Sequence, residues 1–141
     1  MAYSDRLVFP EGAKRIERTA SGLSVPNYPL VFYFEGDGIG VDVVPTMIDV
    51  VDAAVKQAYQ GERRLGWTEV YAGGKALEQY GENQYLPEET LDAVREIGVG
   101  IKGPLMTPIG GGIRSLNVAL RQKLDLYVCL RPIKYLSLIH I

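Results

Sequence analysis

The residue types that this sequence scarcely uses already exclude several classes of protein. Its 141 residues include one cysteine, Cys129, so an intramolecular disulfide is excluded. Cys129 lies in the apolar run LDLYVCL, which predicts a buried and inert thiol. The one histidine, His140, has no second histidine with which to form a metal site or a catalytic triad. No run approaches the ~20 apolar residues of a membrane span and no signal-peptide pattern is found, so we expect a cytoplasmic protein.

Positive charge is gathered in one part of the chain. The whole sequence has a net charge of −2, but from Lys102 onward six basic residues stand against one acidic residue, for a net charge of +5. Residues 1–101 therefore carry −7. A local excess of positive charge in an acidic protein suits it to bind a small anion, and the net acidity argues against nucleic acid. The alternative for a charge cluster alone is a solvated basic surface.

Strands alternate with helices along the chain. Leu30–Phe34 is a continuous apolar run, typical of a strand covered on both faces of a parallel sheet. After Gly40, apolar residues recur at three- and four-residue intervals and predict a helix that has Pro45 in its first turn and closes at Gly61. Further strands are predicted at 65–71, 99–102 and 125–130, and further helices over 73–80 and 87–98. The pattern predicts an α/β fold with a mostly parallel sheet.

A first glycine-rich loop, Gly36-Asp37-Gly38-Ile39-Gly40, connects the first of these strands to the first helix. Its spacing is G-x-G-x-G, which differs from the G-x-G-x-x-G dinucleotide fingerprint, and Glu35 and Asp37 would repel a pyrophosphate. Both a simple turn and a nucleotide contact remain open from the spacing alone.

A second loop, residues 103–112, precedes the residues of a candidate anion site. Three glycines let its backbone approach a ligand closely. Ser115 is predicted to be a helix N-cap, with Asn117 in the first turn and Arg121 four residues on along the same face. Lys102 and Arg131 are both predicted at carboxyl ends of strands, where ligands of α/β sheets bind. The set suits a substrate with more than one carboxylate.

Several segments together resemble a known family. The loop GDGIG, the segments IKGPL and GGGIRSLNVALRQ, and the LDLY and CLRP blocks resemble the β-decarboxylating dehydrogenases, specifically the bacterial NADP-dependent isocitrate dehydrogenases. The match runs from about Val25 to Tyr135. The sister branch that acts on isopropylmalate shares the glycine loop and a Leu-Arg-Pro, but is less similar in the Ser-Asn-Arg helix.

The resemblance implies a reaction, its cofactors and its partners. Isocitrate would be oxidised by hydride transfer to NADP, lose CO2 and give 2-oxoglutarate, within the tricarboxylic acid cycle and beside the glyoxylate bypass. A magnesium or manganese ion would act as a Lewis acid. The enzyme would be a homodimer, without nucleic acid or membrane partners, and a regulatory kinase is known for some members of the family.

The resemblance also assigns roles to residues that bind the substrate. Ser115 and Asn117 would bind the carboxylate that distinguishes isocitrate, and Arg121 and Arg131 the other carboxylates, with Lys102 nearby. Ser115 would also be the phosphorylation site, because a phosphate there would repel the substrate.

The cofactor residues implied by the resemblance are Met106, Thr107 and Ile39. Thr107 and the adjacent position 106 would contact the nicotinamide end of NADP, and Ile39 would line the same cleft. The family usually has threonine where this chain has Met106, which removes a hydroxyl from the cofactor wall.

The family fold implies that this chain is the N-terminal part of a discontinuous large domain plus the start of a small domain. We expect an irregular leader at 1–28, the large-domain segment at 29–125, the start of the small domain at 126–135, and a tail at 136–141 that is not native coding sequence. Catalytic and metal-binding residues would lie beyond this chain, which alone would be inactive.

Two other functions remain open at this point. One is a related dehydrogenase that acts on isopropylmalate or homoisocitrate. The other is a non-catalytic module that binds polycarboxylates. The choice between NAD and NADP is also open.

Overall fold

A computed structural model describes residues 3–106 and 115–133. In chain order the elements are β1 (Glu17–Thr19), β2 (Gly22–Ser24), β3 (Leu30–Phe34), α1 (Gly40–Ala58), β4 (Gly66–Glu69), α2 (Gly74–Tyr80), α3 (Glu88–Ile97), β5 (Gly100–Lys102) and α4 (Leu116–Lys123). The strands β4, β3 and β5 form a parallel sheet in that order, and β1 and β2 form an antiparallel hairpin. The predicted α/β class with a parallel sheet is confirmed.

The central strand β3 is buried because both of its edges are paired. Leu30 pairs with Gly66 of β4, and Phe32 pairs with Gly100 of β5. Gly100 is required beside the Phe32 ring, because an added Cβ would lie 2.3 Å from the ring carbons. The expected strand over 30–34 is confirmed, with four of its five residues buried.

The hydrophobic core lies between the sheet and helices α3 and α4. On one side it contains Phe32 and Phe34, and on the other Leu91 and Ile97 of α3. The helix α3 begins after Pro87 and ends at Gly98, whose φ of 76° allows the left-handed stop that the sequence predicted. The second and third predicted helices are thus confirmed to within two residues.

Helix α1 is longer at its N-terminus than predicted. It begins at Gly40, so Pro45 lies inside the helix and not in its first turn. The backbone bond that Pro45 cannot make is to the carbonyl of Val41, a residue on the exposed side of the helix. Gly61 closes the following turn with φ of 82° and donates its N–H to the carbonyl of Lys56 at 3.0 Å.

The strand predicted over 125–130 is not formed. Asp125 has φ of 50°, and Leu126, Val128 and Leu130 are all exposed. The apolar run indicated a strand, but a strand needs a neighbour, and in the described ranges this segment pairs with none. Cys129 is consequently exposed, so the prediction of a buried thiol is wrong.

The leader contains the β1–β2 hairpin, although its sequence shows neither strand nor helix periodicity. Before the hairpin, Leu7 is buried in the core. The Ser4 hydroxyl donates to the Glu89 carboxylate of α3 at 2.9 Å, and the Tyr80 hydroxyl donates to the same carboxylate at 2.6 Å. Burial and the bond to Glu89 raise the pKa of Tyr80 above its ordinary value. One acidic side chain therefore joins the leader to α2 and α3. The proposed boundaries of the leader and of the domains remain predictions.

Candidate functional site

In helix α4, each residue buried in the core is followed directly by a polar residue of the candidate site. Leu116 and Leu120 are buried in the core, one turn apart. Asn117 and Arg121 follow them by one residue and are half-buried. Because residues four apart share a helix face, burying the leucine pair aims the Asn117–Arg121 pair at the space beside the sheet.

Asn117 and Arg121 line a cavity of about 180 Å³ together with Lys102. Its apolar wall includes Phe32, Phe34, Val94, Leu120, Leu124 and Leu126. Lys102 is the last residue of β5, so it enters the cavity from the carboxyl edge of the sheet, as predicted. The structure thus places these three polar residues at one cavity, and their role as substrate-binding residues stays a prediction.

The electrostatics of this cavity favour an anion. Burial and the nearby charge of Arg121 lower the pKa of Lys102, and the carboxylate of Asp37 opposes that shift. The ammonium of Lys102 donates to the carbonyl of Gly103 at 2.6 Å. Two cations held close together repel each other, and a bound carboxylate would relieve that repulsion.

Ser115 occupies the N-cap position of α4 but does not cap it with its side chain. Its backbone carbonyl accepts the N–H groups of Val118 and Ala119, each at 2.9 Å. Its hydroxyl makes no capping hydrogen bond. The predicted position is thus confirmed, while the first N–H groups of the helix are not satisfied by that hydroxyl. Ser115 does not line the 180 Å³ cavity and lies one turn before Ala119 on the helix.

Arg121 and Arg131 both act on the exposed thiol of Cys129. A hydrogen bond from Arg131, then the charges of Arg121 and Arg131, lower the pKa of Cys129. Residues 126–133 form no strand and are exposed, so the expectation that Arg131 would end a strand is wrong.

The two glycine loops pack backbone against backbone. A Cβ added at Gly36 would lie 2.0 Å from the carbonyl oxygen of Pro104, and one at Gly103 would lie 2.2 Å from the carbonyl oxygen of Glu35. The two glycines are therefore required by close approach of the chain to itself. This supports the simple-turn interpretation of the GDGIG loop.

Two of the three predicted cofactor residues lie on these loops. Ile39 is the N-cap residue of α1 and is 68% exposed. Met106 lies in the second loop and is 65% exposed. The N–H of Met106 donates to Asp37, two residues before Ile39, so a backbone bond links the two loops close to both residues. Thr107 lies outside the described residues, so its role stays a prediction.

A charged cluster that the sequence did not indicate lies at the carboxyl edge of the sheet. Lys75 of α2 forms ion pairs with Glu35, just after β3, and with Glu69, the last residue of β4. Burial alone would lower the pKa of Lys75, but the hydrogen bonds to Glu35 and Glu69 outweigh it and raise the pKa. Glu35 is 40 residues from Lys75 in sequence, and Glu69, although only 6 residues away, lies on a different element. Helix or strand periodicity therefore does not indicate these ion pairs.

Residues 3–106 and 115–133 hold neither a cluster of metal-binding side chains nor a membrane-spanning helix. No group of three or more histidine, cysteine or acidic side chains is suitably placed there to hold a metal ion. Within the same ranges, no helix has the length and apolar character to cross a bilayer.

The parallel sheet and the glycine turns at its carboxyl edge define the class: an α/β protein with a cationic cleft beside its sheet. Residues 30–140 match the family described as isocitrate/isopropylmalate dehydrogenase. The chain belongs to this family.

Curated relatives agree with this assignment. The chain is 58% identical over 135 residues to "Isocitrate dehydrogenase [NADP]" of Pseudomonas aeruginosa (strain UCBPP-PA14), covering 96% of this chain and 32% of that relative. It is 56% identical over 128 residues to the protein of the same name from Coxiella burnetii, covering 91% of this chain and 30% of the relative. A Nostoc protein of that name is 60% identical over 111 residues, which is 79% of this chain and 24% of the relative. The chain thus spans about a third of the length of the curated relatives it matches.

Proposed function

We propose that this chain is the N-terminal third of an NADP-dependent isocitrate dehydrogenase and supplies part of its substrate site. The observation that carries the proposal is the convergence of Lys102, Asn117 and Arg121 on one cavity at the carboxyl edge of the sheet. Relatives of the same name match the chain over 96% and 91% of its length, which supports the choice of substrate. The longer chain that would carry this segment is called the parent enzyme.

Isocitrate has three carboxylates, and the residues of the cleft offer complementary donors. The Arg121 guanidinium can hold a carboxylate with two parallel N–H bonds, and the Asn117 amide and Lys102 ammonium donate to others. Arg131, brought near Arg121, adds a second guanidinium. In this proposal these residues bind and orient the substrate, and Ser115 donates from the helix N-terminus to the carboxylate that distinguishes isocitrate.

NADP would accept a hydride from the hydroxyl carbon of isocitrate. The exposed apolar side chains of Ile39 and Met106 fit a wall against which a flat nicotinamide ring would lie. Their contribution is to exclude water and to orient the ring.

The described residues do not fit a magnesium or manganese site. Asp37, whose charge acts on Lys102, already accepts two backbone N–H bonds. Glu35 and Glu69 are both engaged in ion pairs with Lys75. We therefore assign no metal ligand and no metal-dependent step to this segment.

Other properties of the parent enzyme are proposed from the resemblance. In this proposal the parent enzyme is a cytoplasmic homodimer that acts in the tricarboxylic acid cycle, at the branch point with the glyoxylate bypass. A kinase phosphorylates it at Ser115. The structure supports the last idea in one respect, since the Ser115 hydroxyl is not engaged in capping. Ser115→Asp would place negative charge where a carboxylate binds, so the Kd for isocitrate should rise at least tenfold in a calorimetric titration of the parent enzyme.

Arg121→Ala in the parent enzyme tests the proposed function. Loss of a charged hydrogen-bond donor costs about 1.5–3 kcal/mol, so KM for isocitrate should rise roughly 10- to 100-fold. Arg18→Ala, in the exposed hairpin strand β1, is the matched control and should leave KM unchanged. Both substitutions can also be made in a chimera, in which this chain replaces the matching segment of the Pseudomonas aeruginosa relative.

Three outcomes are informative. A KM for isocitrate within twofold of the unsubstituted enzyme would refute the role of Arg121. Preferential oxidation of isopropylmalate or homoisocitrate by the parent would move the chain to another branch of the family. If the 141-residue chain alone binds citrate or isocitrate tightly, the polycarboxylate-binding module is the better description.

A further inference from the structure

Asp37 joins three separate parts of the carboxyl edge of the sheet. Its Oδ1 accepts the N–H of Gly74, at the start of α2, at 2.8 Å. Its Oδ2 accepts the N–H of Met106 at 2.8 Å, and its own N–H donates to the carbonyl of Pro104 at 2.7 Å. One residue therefore connects the first glycine loop, α2 and the start of the second glycine loop.

The space around the Asp37 carboxylate leaves it little freedom to move. A Cβ added at Gly73 would lie 2.3 Å from Oδ2, and one at Gly74 would lie 3.1 Å from Oδ1. The glycines at 73 and 74 thus admit the carboxylate close to the backbone. A longer side chain at position 37 has no room to adjust.

The glycine contacts and the Asp37 contacts hold different residues. Close packing of Gly36 against Pro104, and of Gly103 against Glu35, fixes residues 103 and 104. Met106 lies two residues further on and its side chain is mostly exposed, so side-chain packing does not fix it. Its backbone is fixed by the bond from its N–H to Asp37.

We propose that Asp37 is a positioning residue for cofactor binding: its carboxylate fixes the backbone at Met106, so that Met106 and Ile39 face one ligand. This inference rests on the proposed function, because it takes these two side chains as the wall for the nicotinamide. The expected repulsion between Asp37 and a pyrophosphate does not apply to the uncharged amide side of a nicotinamide ring. Two N–H groups already share its negative charge, so the residue acts through the backbone that it holds.

Asp37→Asn in the parent enzyme tests the proposal with little change in volume. An asparagine can accept one of the two N–H bonds, but its NH2 group then faces the second N–H as donor against donor. We expect the Kd for NADPH, measured by the fluorescence change on binding, to rise about tenfold. KM for isocitrate should stay within twofold, because Lys102 bonds to the carbonyl of Gly103 and α4, which carries Asn117 and Arg121, is held in the core by Leu116 and Leu120.

Asp42→Asn is the matched control. Asp42 is an exposed carboxylate in the first turn of α1, five residues away in the same part of the chain. Removing its charge should leave the Kd for NADPH within twofold. A general loss of stability or of negative charge near the loop would affect both variants, whereas a positioning role affects Asp37→Asn alone.

Hydrogen exchange provides a readout that does not depend on activity or on a variant. In the unsubstituted parent without cofactor, the amide of Met106 should exchange slowly even though its side chain is exposed, and it should exchange much faster in Asp37→Asn. Rapid exchange at Met106 in the unsubstituted protein would overturn the proposal, as would an unchanged Kd for NADPH in Asp37→Asn. If the unsubstituted parent neither binds NADPH nor oxidises isocitrate, the proposed function itself fails, while the exchange result still decides the role of Asp37.

Discussion

Replacing Gly36 by alanine is the most direct test of the contact between the two glycine loops. The new Cβ would lie 2.0 Å from the carbonyl oxygen of Pro104 and 2.9 Å from its carbonyl carbon. Both atoms are backbone, so no rotamer change relieves the overlap. The φ of 82° at Gly36 adds a second cost, because alanine in the left-handed region is disfavoured by about 1–2 kcal/mol.

Gly38→Ala separates these two costs. Gly38 has φ of 60°, and a Cβ added there meets nothing within 4 Å. It therefore carries only the conformational cost, about 1 kcal/mol. Overpacking adds about 1–3 kcal/mol, so Gly36→Ala should destabilise the protein by about 3 kcal/mol in total.

The assay is urea unfolding of the parent protein, followed by circular dichroism, for both variants and the unsubstituted chain. We expect Gly36→Ala to lower the free energy of unfolding by about 2 kcal/mol more than Gly38→Ala, the share assigned to overpacking. Equal destabilisation by the two substitutions would refute the inferred contact between the loops.

Three further predictions follow from the charged and exposed groups. Folded Lys75 keeps its proton to higher pH than the unfolded chain does, so its stabilising effect is complete below about pH 10 and is lost as pH rises through the folded pKa. Lys75→Met should therefore be less stable than the unsubstituted protein in thermal melts at pH 7, with the difference shrinking above pH 11 or so. Cys129, whose pKa is lowered by Arg131, should react faster with iodoacetamide at pH 7.5 than a free cysteine, and Arg131→Ala should slow that reaction. Met106→Thr should lower the Kd for NADPH, because it adds a hydroxyl to the proposed wall without removing the backbone bond that holds it; an unchanged or higher Kd contradicts this.

The sequence predicted those elements that are specified by local signals in their own residues. The apolar run at β3 and the Pro87 and Gly98 boundaries of α3 are local signals, and the structure agrees with them. The same holds for Asn117 and Arg121, since helical spacing alone places them on one face.

The errors share a different cause. The segment around Cys129 has the composition of a strand, but whether such a run becomes a strand depends on a neighbour that a local pattern does not specify. The roles of Asp37 and Lys75 were missed for a related reason. Their partners lie 69, 37 and 40 residues away, and only the fold brings them together.

The offset of one residue between the two leucines and the two polar residues of α4 has a consequence for how the site can change. Substitutions at Asn117 or Arg121 can alter ligand preference while Leu116 and Leu120 continue to hold the helix in place. A single-residue insertion or deletion before Leu116 has the opposite effect, because it turns the following residues by about 100° about the helix axis. A deletion would direct the guanidinium towards the core, whereas an insertion would direct a leucine towards the ligand. Natural and engineered diversity in α4 should therefore consist of substitutions at constant length.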